Sequence, residues 1–410
     1  MLNLYKRVIQ YNFGWFFLFF FLFISLDIGV ELLNNRFSTY DLKVYLGAAK
    51  ALKLNQQVYG VAFCLPTGFY KYSPFILFLF VPFTYLPEPV AGILQVAIEG
   101  TCFIGLSLAL RSIFVLVYPP FKNATIRSLG WFWLSIFMGV VICLVREFHL
   151  GNVNLIVLFL LCKALQFGLQ AEDKKGLFWS GCLIGLATLF KPFLLVLLFP
   201  FVFNQKAKIL VGFGAAIVAG PLLVFTLLGF QNGLQLHLDW LKAMGAHSTY
   251  LQSNHTLSSL LFKTTGVQLP FSAYFFFIAG VIVYVIYKLL VKTTNKGQAI
   301  WTEFILILAL LPNLLVTDTE HFIWSLPLIA MILGNWWYGT TGLLHQKYKW
   351  TFRILLCLVL FMYGGNSSDL LGNKGSDWFE NMGLLGWGNL GLMAFYLLLP
   401  EIKSPFKKQV

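Results

Sequence analysis

The chain has 410 residues, of which 59% are hydrophobic, 18% are aromatic and only 11% are charged. A soluble globular domain carries about 25% charged residues, so this composition excludes a soluble protein, a disordered chain and a nucleic-acid-binding domain. A transmembrane helix needs roughly 20 apolar residues, and the length therefore allows a bundle of membrane-spanning helices with loops. The formal net charge of +13 is then interpreted through the positive-inside rule.

Apolar segments recur along the whole chain and predict an all-α integral membrane protein of about twelve spans. They lie at residues 13–30, 90–110, 129–145, 153–170, 176–190, 192–203, 207–229, 271–291, 300–316, 321–338, 352–364 and 383–399. A shorter apolar run at 73–86 contains three prolines. Because proline interrupts helices, this run is interpreted as a juxtamembrane or re-entrant helix that does not cross.

Charge orients these spans. With a cytoplasmic N-terminus, the basic clusters at 288–296, 347–353 and 403–408 all fall in inner loops, as the positive-inside rule requires. The sequence thus predicts one polytopic domain, residues 1–410, in a plasma or inner membrane with both termini cytoplasmic. Polar segments gather on the outer face, above all in a first outer loop at 31–89 and a large outer loop at 230–270.

Asp41 opens an amphipathic stretch in the first outer loop. The stripe of apolar residues that follows predicts a helix in the membrane interface and consists of Leu42, Tyr45, Leu46, Ala49 and Leu52. Asp41 then has two interpretations: it caps the helix or sits in its first turn beside the helix dipole, or it is a general base at the lipid–water boundary. The spacing leaves both open.

Further polar residues concentrate at predicted outer turns. Four of them, Glu147, His149, Asn152 and Asn154, follow Arg146 in a segment interpreted as a tight turn between two spans. Lys191 precedes Pro192 between two short apolar runs, and it either snorkels to the interface or binds a phosphate.

The other candidates come from two polar segments. Asn254 and His255 begin a polar-then-apolar helix that includes a glycosylation sequon. Glu320 and His321 follow Asp318 at the outer end of a span, where a capping role is expected for Asp318 or Thr319. A histidine at the membrane boundary can donate a proton or a hydrogen bond.

These motifs, taken in order, resemble glycosyltransferase family 87. The resemblance extends from residue 1 to about residue 340 and includes the following segments: Asp41-Leu-Lys-Val-Tyr45, Val58-Tyr59-Gly60, Tyr70-Lys-Tyr72-Ser-Pro74, Gly151-Asn-Val-Asn154, Gly185-Leu-Ala with Lys191-Pro192, and Asn254-His-Thr-Leu-Ser258. The family is similar in fold to other GT-C enzymes, uses polyprenyl-phosphate sugars and includes the mycobacterial phosphatidylinositol-mannoside mannosyltransferases. The resemblance implies a GT-C-type helical bundle.

The resemblance also implies roles for individual residues. Asp41 would be the general base, His321 would lie in the donor site and Lys191 would contact the lipid phosphate. Together with the polar segments above, this gives the predicted substrate-binding positions Tyr45, Glu147, His149, Asn152, Asn154, Lys191, Asn254, His255 and Glu320. The chain has Asn152 where the family usually has glutamine, and Asn254-His-Thr where it often has Asn-Gln-Ser.

The function expected from this resemblance is inverting transfer of a hexose, with mannose as the first choice, to an extracytoplasmic lipid or glycan acceptor. The partners are then a polyprenyl-phosphate sugar donor, that acceptor and the membrane lipids, without nucleic acid, metal or cofactor. Two alternatives remain open. A lipid or glycan transporter or flippase would use charges inside spans, here Asp27, Glu99 and Lys163, and an O-antigen-ligase-like polymerase would share the large outer loop.

Overall fold

The structure is a computed structural model that describes most of the chain. The described residues are 14–34, 37, 39–117, 126–170, 174–247, 254–266, 296–314, 318–338 and 349–398. The predicted span at 271–291 and the basic cluster at 403–408 lie outside them.

Helices dominate the described part of the chain. In chain order they are α1 (Gly14–Leu33), α2 (Tyr40–Lys53), α3 (Pro74–Phe80), α4 (Glu88–Val117), α5 (Ile126–Leu150), α6 (Asn154–Gln170), α7 (Lys174–Phe190), α8 (Phe199–Phe203), α9 (Ile209–Leu228), α10 (Phe230–His247), α11 (Leu257–Thr265), α12 (Lys296–Leu314), α13 (Leu326–Tyr338), α14 (Lys349–Gly364), α15 (Ser368–Asn381) and α16 (Leu384–Leu398). Three 3₁₀ segments join them at Pro82–Tyr85, Pro192–Leu198 and Thr319–Ser325. The prediction of an all-α membrane protein is confirmed.

Within the described residues, four helical segments are long and apolar enough to cross a membrane: Trp15–Leu33, Glu88–Val117, Gly130–Leu150 and Ile209–Leu228. The other apolar helices of the described residues are shorter, with 10–17 residues. A helix satisfies its own backbone hydrogen bonds, which is the requirement that hydrocarbon imposes on a spanning segment. The count of about twelve spans stays a prediction.

Helices α7 and α9 approach each other so closely that both need glycine. A Cβ atom at Gly181 would lie 2.0 Å from the backbone oxygen of Ile209, and one at Gly212 would lie 1.9 Å from that of Phe178. Small residues allow such close contact between helices in membranes. Because α7 leads directly into Lys191, this packing holds the backbone of that lysine in place.

Helix α2 begins at Tyr40, so Asp41 lies in its first turn. The residue in the capping position is Thr39, whose side chain makes no capping hydrogen bond. The interpretation of Asp41 as a cap is therefore wrong, while its first-turn position is confirmed. The helix buries a wider face than the predicted stripe, because Val44 and Ala48 are buried as well.

The segment starting at Arg146 is helical and not a turn. Helix α5 continues to Leu150 and α6 begins at Asn154, so only residues 151–153 connect them. Gly151 has φ 63°, a left-handed conformation that glycine adopts without steric cost. Its position matters because a Cβ there would lie 3.0 Å from the Cβ of Leu42 in α2. This turn therefore brings Asn152 against the start of α2.

Candidate active site

Asp41 and Asn152 form the first direct contact among the predicted site residues. The Nδ2 atom of Asn152 donates a hydrogen bond to Oδ2 of Asp41 at 2.6 Å. On the other side of the same amide, Oδ1 lies 3.2 Å from the hydroxyl of Tyr45 and 3.4 Å from that of Tyr72. Since the two tyrosine oxygens are themselves 2.9 Å apart, α2, the 151–153 turn and the segment before α3 meet at this point.

Glu147 stabilises the turn at residues 151–153 and the start of α6. Its carboxylate accepts hydrogen bonds from the side-chain amide of Asn154 at 3.0 Å and from the backbone N–H of Leu155 at 2.9 Å. The first N–H groups of a helix lack partners within the helix, so a carboxylate at this place stabilises the start of α6. Glu147 and Asn154 are both fully buried and are occupied with each other.

Lys191 and His321 form a second direct contact. The Nζ atom of Lys191 lies 2.6 Å from Nε2 of His321, and it also lies over the rings of Tyr72 and Trp324 at 5.8 and 5.4 Å from their centroids. Lys191 is only 7% exposed, so the expectation that it snorkels to the interface is wrong. The physical reason is Pro192, which ends α7 and turns the chain at this residue into an extended conformation.

Burial also sets the charge state of this lysine. It lowers the pKa of Lys191 to about 8, with the nearby Lys71 acting in the same direction. The carboxylates of Glu147, Glu320 and Asp41 oppose this shift, because opposite charges favour the ionised form. Lys191 is therefore a cation near neutral pH, held in contact with His321.

Glu320 connects His321 to Arg146. Its Oε2 accepts from Nε of Arg146 at 3.1 Å, and its Oε1 lies 3.8 Å from Nδ1 of His321. Burial raises the pKa of Glu320 to about 7, with Asp318 adding to the effect and Arg146 opposing it. The Arg146 side chain is half exposed, whereas that of Glu320 is buried.

Asp41 has the electrostatic character of a base that works near neutral pH. Burial raises its pKa to about 6, and Asp318 adds to the rise, while Lys71, Lys191 and Arg146 lower it. The side chain is half-buried, so a substrate can still reach it. A general base is most effective when its pKa lies near the working pH.

The remaining predicted residues are occupied elsewhere. His149 lies 3.3 Å from the carboxylate of Glu31. Asn254 accepts a hydrogen bond from Lys263 at 2.8 Å. The Nε2 atom of the buried His255 lies 3.1 Å from Glu380 in α15. A second cluster thus joins the residues before α11, and Lys263 within it, to α15. It meets the first cluster where the His255 ring packs edge-on against Phe322 at 5.7 Å.

The comparison with known families decides the identification. The sequence model of glycosyltransferase family 87 matches residues 69–317, which is more than half of the 410-residue chain. The chain belongs to glycosyltransferase family 87. Neither the comparison with curated proteins nor the one with solved structures found a match.

The family 87 match covers part of the contact network. Tyr72, Asn152 and Lys191 lie inside the matched residues, whereas Asp41 and His321 lie outside. The match is also narrower than the predicted resemblance, which extended from residue 1 to about residue 340. Asp41 and His321 join the network through their contacts with Asn152 and Lys191.

Three members of this network were not singled out from the sequence. Tyr72 stands in the Tyr70-Lys-Tyr72 motif, which could have indicated it. Gln95 is a polar residue inside an apolar helix, a signal that such a residue has a partner; its amide donates to the backbone oxygen of Asn152 at 2.9 Å. Glu380 carried no sequence signal.

Among the described residues, no group of three or more His, Cys, Asp or Glu side chains is placed to hold a metal ion.

Proposed function

We propose that this member of family 87 is an inverting hexosyltransferase that transfers mannose from a polyprenyl-phosphate sugar to a lipid or glycan acceptor. The observation that carries the proposal is a continuous line of contacts from a carboxylate to an ammonium group. Asp41 contacts Asn152 at 2.6 Å, Asn152 contacts Tyr72 at 3.4 Å, and the Tyr72 ring lies 5.8 Å from the Nζ atom of Lys191. A glycosyl transfer needs both groups close to one sugar.

Asp41 is the base in this proposal. Its carboxylate takes the proton of the acceptor hydroxyl as the acceptor oxygen forms a bond to the anomeric carbon of the donor sugar. The bond between that carbon and the phosphate oxygen breaks at the same time, and its electron pair leaves with polyprenyl phosphate. A positioned base of this kind contributes about 10²- to 10⁴-fold to the rate.

Lys191 holds the leaving phosphate. The phosphate gains negative charge as the glycosidic bond breaks, and a fixed cation in a dry site stabilises developing charge. Lysine is a point-charge donor for phosphate, and burial already keeps Lys191 away from bulk water. His321, in contact with Lys191 at 2.6 Å, is the second candidate to approach the donor phosphate.

The inverting outcome follows from how the other carboxylates are used. A retaining enzyme places a second carboxylate about 5 Å from the first, as a nucleophile. Glu147 is occupied by Asn154 and the N–H of Leu155, and Glu320 is paired with Arg146. Neither of these glutamates is available as that nucleophile, which supports Asp41 as the base of a single displacement.

The proposal includes a location. A donor whose sugar is already activated by a lipid phosphate needs no nucleotide, and the outer leaflet of a plasma or inner membrane offers such donors. We place the site on that outer face, with both termini cytoplasmic, because the basic loops of the sequence favour the cytoplasmic side. The proposed GT-C-type arrangement agrees with a site built by the loops between spans.

The test is a transfer assay with purified protein in lipid nanodiscs. A panel of tritiated polyprenyl-phosphate sugars, mannose among them, is incubated with a membrane lipid extract, and the lipid products are identified by mass spectrometry. The proposal predicts a mannosylated lipid with inverted anomeric configuration, and its loss in Asp41→Asn. The matched control is Asp239→Asn, an aspartate of α10 whose carboxylate, among the described residues, accepts from Gln235 of the same helix.

Three outcomes would overturn the proposal. Full transfer by Asp41→Asn would remove Asp41 as the base. Movement of labelled donor across the bilayer without any new glycosidic bond would instead indicate a flippase, and elongation of a glycan from a diphosphate-linked donor would indicate a ligase or polymerase.

A further inference from the structure

The side-chain amide of Asn152 has its orientation set by its neighbours. Its Oδ1 atom accepts from the backbone N–H of Val153 at 2.7 Å and faces the hydroxyls of Tyr45 and Tyr72. Each hydroxyl has one proton, and the two oxygens also contact each other, so one tyrosine donates to Oδ1 while the other donates to its neighbour. A turned amide would direct its N–H₂ group at these donors, and only the observed orientation pairs every group.

The two tyrosines are reliable donors. Both side chains are buried, and burial raises the pKa of each hydroxyl well above 10. They therefore keep their protons at neutral pH. Their rings pack at 5.3 Å between centroids, which holds the hydroxyls at the oxygen side of the amide.

The backbone of Asn152 is held as well. Its carbonyl oxygen accepts from Nε2 of Gln95 at 2.9 Å, and the same nitrogen donates to Oε1 of Glu99 at 2.9 Å. Gln95 and Glu99 lie one turn apart in α4 and are both buried. Glu99 was one of the three charges inside predicted spans, and these contacts assign it to the support of the 151–153 turn.

We propose that Asn152 is the positioning residue for Asp41: its fixed amide binds Oδ2 of the carboxylate and thereby directs Oδ1 toward the acceptor hydroxyl. This inference rests on the proposed function, in which Asp41 is the base. It replaces the expectation that Asn152 binds substrate, because every hydrogen-bonding group of Asn152 except one Nδ2 proton already has a protein partner. In the described part of the chain, Asp41 Oδ1 has no hydrogen-bond donor.

The hydrogen bond from Asn152 affects the pKa of Asp41. A donor that bonds to a carboxylate stabilises its ionised form, so removal of the Asn152 amide raises the pKa of Asp41. The charged and titratable groups that act on Asp41, or on which it acts, are Lys71, Arg146, Lys191, Asp318, Glu320, Glu99, Tyr45 and Tyr72. None of them is changed when Asn152 alone is substituted.

Two readouts test the inference on the full-length protein in nanodiscs. The first is labelling by dicyclohexylcarbodiimide, which reacts with protonated carboxyl groups; mass spectrometry of the Asp41 peptide as a function of pH reports the titration of Asp41 without substrate. The second is the pH–rate profile of transfer from tritiated polyprenyl-phosphate mannose. We expect the labelling midpoint, near pH 6 in the wild type, to rise by about one pH unit in Asn152→Ala.

A second variant and a control accompany Asn152→Ala. Tyr45→Phe combined with Tyr72→Phe retains the rings but leaves the Val153 N–H as the remaining donor to Oδ1. The amide is then held less firmly, and the midpoint should move in the same direction. Its folding is checked by the melting temperature, so this pair serves if Asn152→Ala fails to fold. The control is Asn232→Ala, an exposed asparagine whose side chain, among the described residues, bonds to the backbone of Leu228, and it should leave both readouts unchanged.

The outcomes separate this inference from the proposed function. If Asp41→Asn is inactive while Asn152→Ala and the double tyrosine variant keep the wild-type midpoint and the wild-type acid limb, Asn152 does not position Asp41, and the base assignment survives. If the midpoint rises as expected but Asp41→Asn still transfers mannose, the contact is as described and the proposed function is wrong.

Discussion

The Nζ atom of Lys191 lies 2.6 Å from Nε2 of His321. A charged lysine can only donate, so the neutral histidine accepts at Nε2 and carries its own proton on Nδ1, on the side of Glu320, whose Oε1 lies 3.8 Å away. The neutral ring adds no negative charge beside Lys191, whose charged form is favoured by the carboxylates of Glu147, Glu320 and Asp41. This arrangement supports the proposal that Lys191 holds the donor phosphate.

Replacement of Lys191 tests its role with the donor. Lys191→Met should reduce transfer by roughly 10- to 100-fold, because a hydrogen bond to a charged group contributes about 1.5–3 kcal/mol. The loss should appear in kcat and in kcat/KM for polyprenyl-phosphate mannose, because the charge on the phosphate develops as the bond breaks, and Lys191→Arg should retain part of the activity. Steady-state kinetics check this, with Lys53→Met as the control, since Lys53 is an exposed lysine bonded to Thr84. An unchanged kcat/KM in Lys191→Met would contradict the assignment.

The pH dependence of transfer should be bell-shaped. Asp41 must be deprotonated to act as a base, so the rate rises as the pH increases through about 6. Lys191 must be protonated to hold the phosphate, so the rate falls as the pH increases through about 8. Initial rates at saturating donor measure both limbs. In Lys191→Arg the alkaline limb should disappear because arginine stays charged; a persistent alkaline limb would assign it to another group.

Glu147 should matter for stability and not for chemistry. Glu147→Ala leaves the buried amide of Asn154 and the N–H of Leu155 without their acceptor, which costs about 1–3 kcal/mol per unpaired group. Glu147→Gln retains one acceptor oxygen and should cost less. Melting temperatures of the solubilised variants give the comparison. If Glu147→Gln kept its melting temperature but lost transfer, Glu147 would be a catalytic carboxylate instead.

The pair of His255 and Glu380 should stabilise the second cluster, between α15 and the residues before α11. His255 lowers the pKa of Glu380 below its usual 4.5 by hydrogen bonding to the ionised form. The folded state therefore gains stability from this group above pH 4.5 and loses it as the pH falls through the lower folded value. Glu380→Gln should thus melt at a lower temperature than the wild type near neutral pH, and the difference should shrink in acid. A constant difference across this range would rule out the charge as its cause.

Much of the site could be predicted from residue type and position. Asp41, Lys191 and His321 were predicted as site residues because ionisable side chains beside apolar spans carry a free-energy cost and often mark functional sites. The structure brings two of them, Lys191 and His321, into direct contact. The contacts themselves could not be predicted. Asn152 and Asp41 are far apart in the chain, and their meeting depends on Gly151 approaching α2. Gln95 and Glu380 became visible only through their partners in space.

The composition and the repeated apolar segments by themselves determined that this is a helical membrane protein, because the requirement to satisfy backbone hydrogen bonds in hydrocarbon acts on every segment separately. The ordered motifs also indicated the family. Tertiary structure alone decided which polar side chains lie together in the candidate site and which are hydrogen-bonded to the backbone and side chains around it. Asp41 half-buried beside Asn152 and Lys191 buried against His321 have pKa values set by burial and by charges from distant segments, and those distances do not exist until the chain is folded.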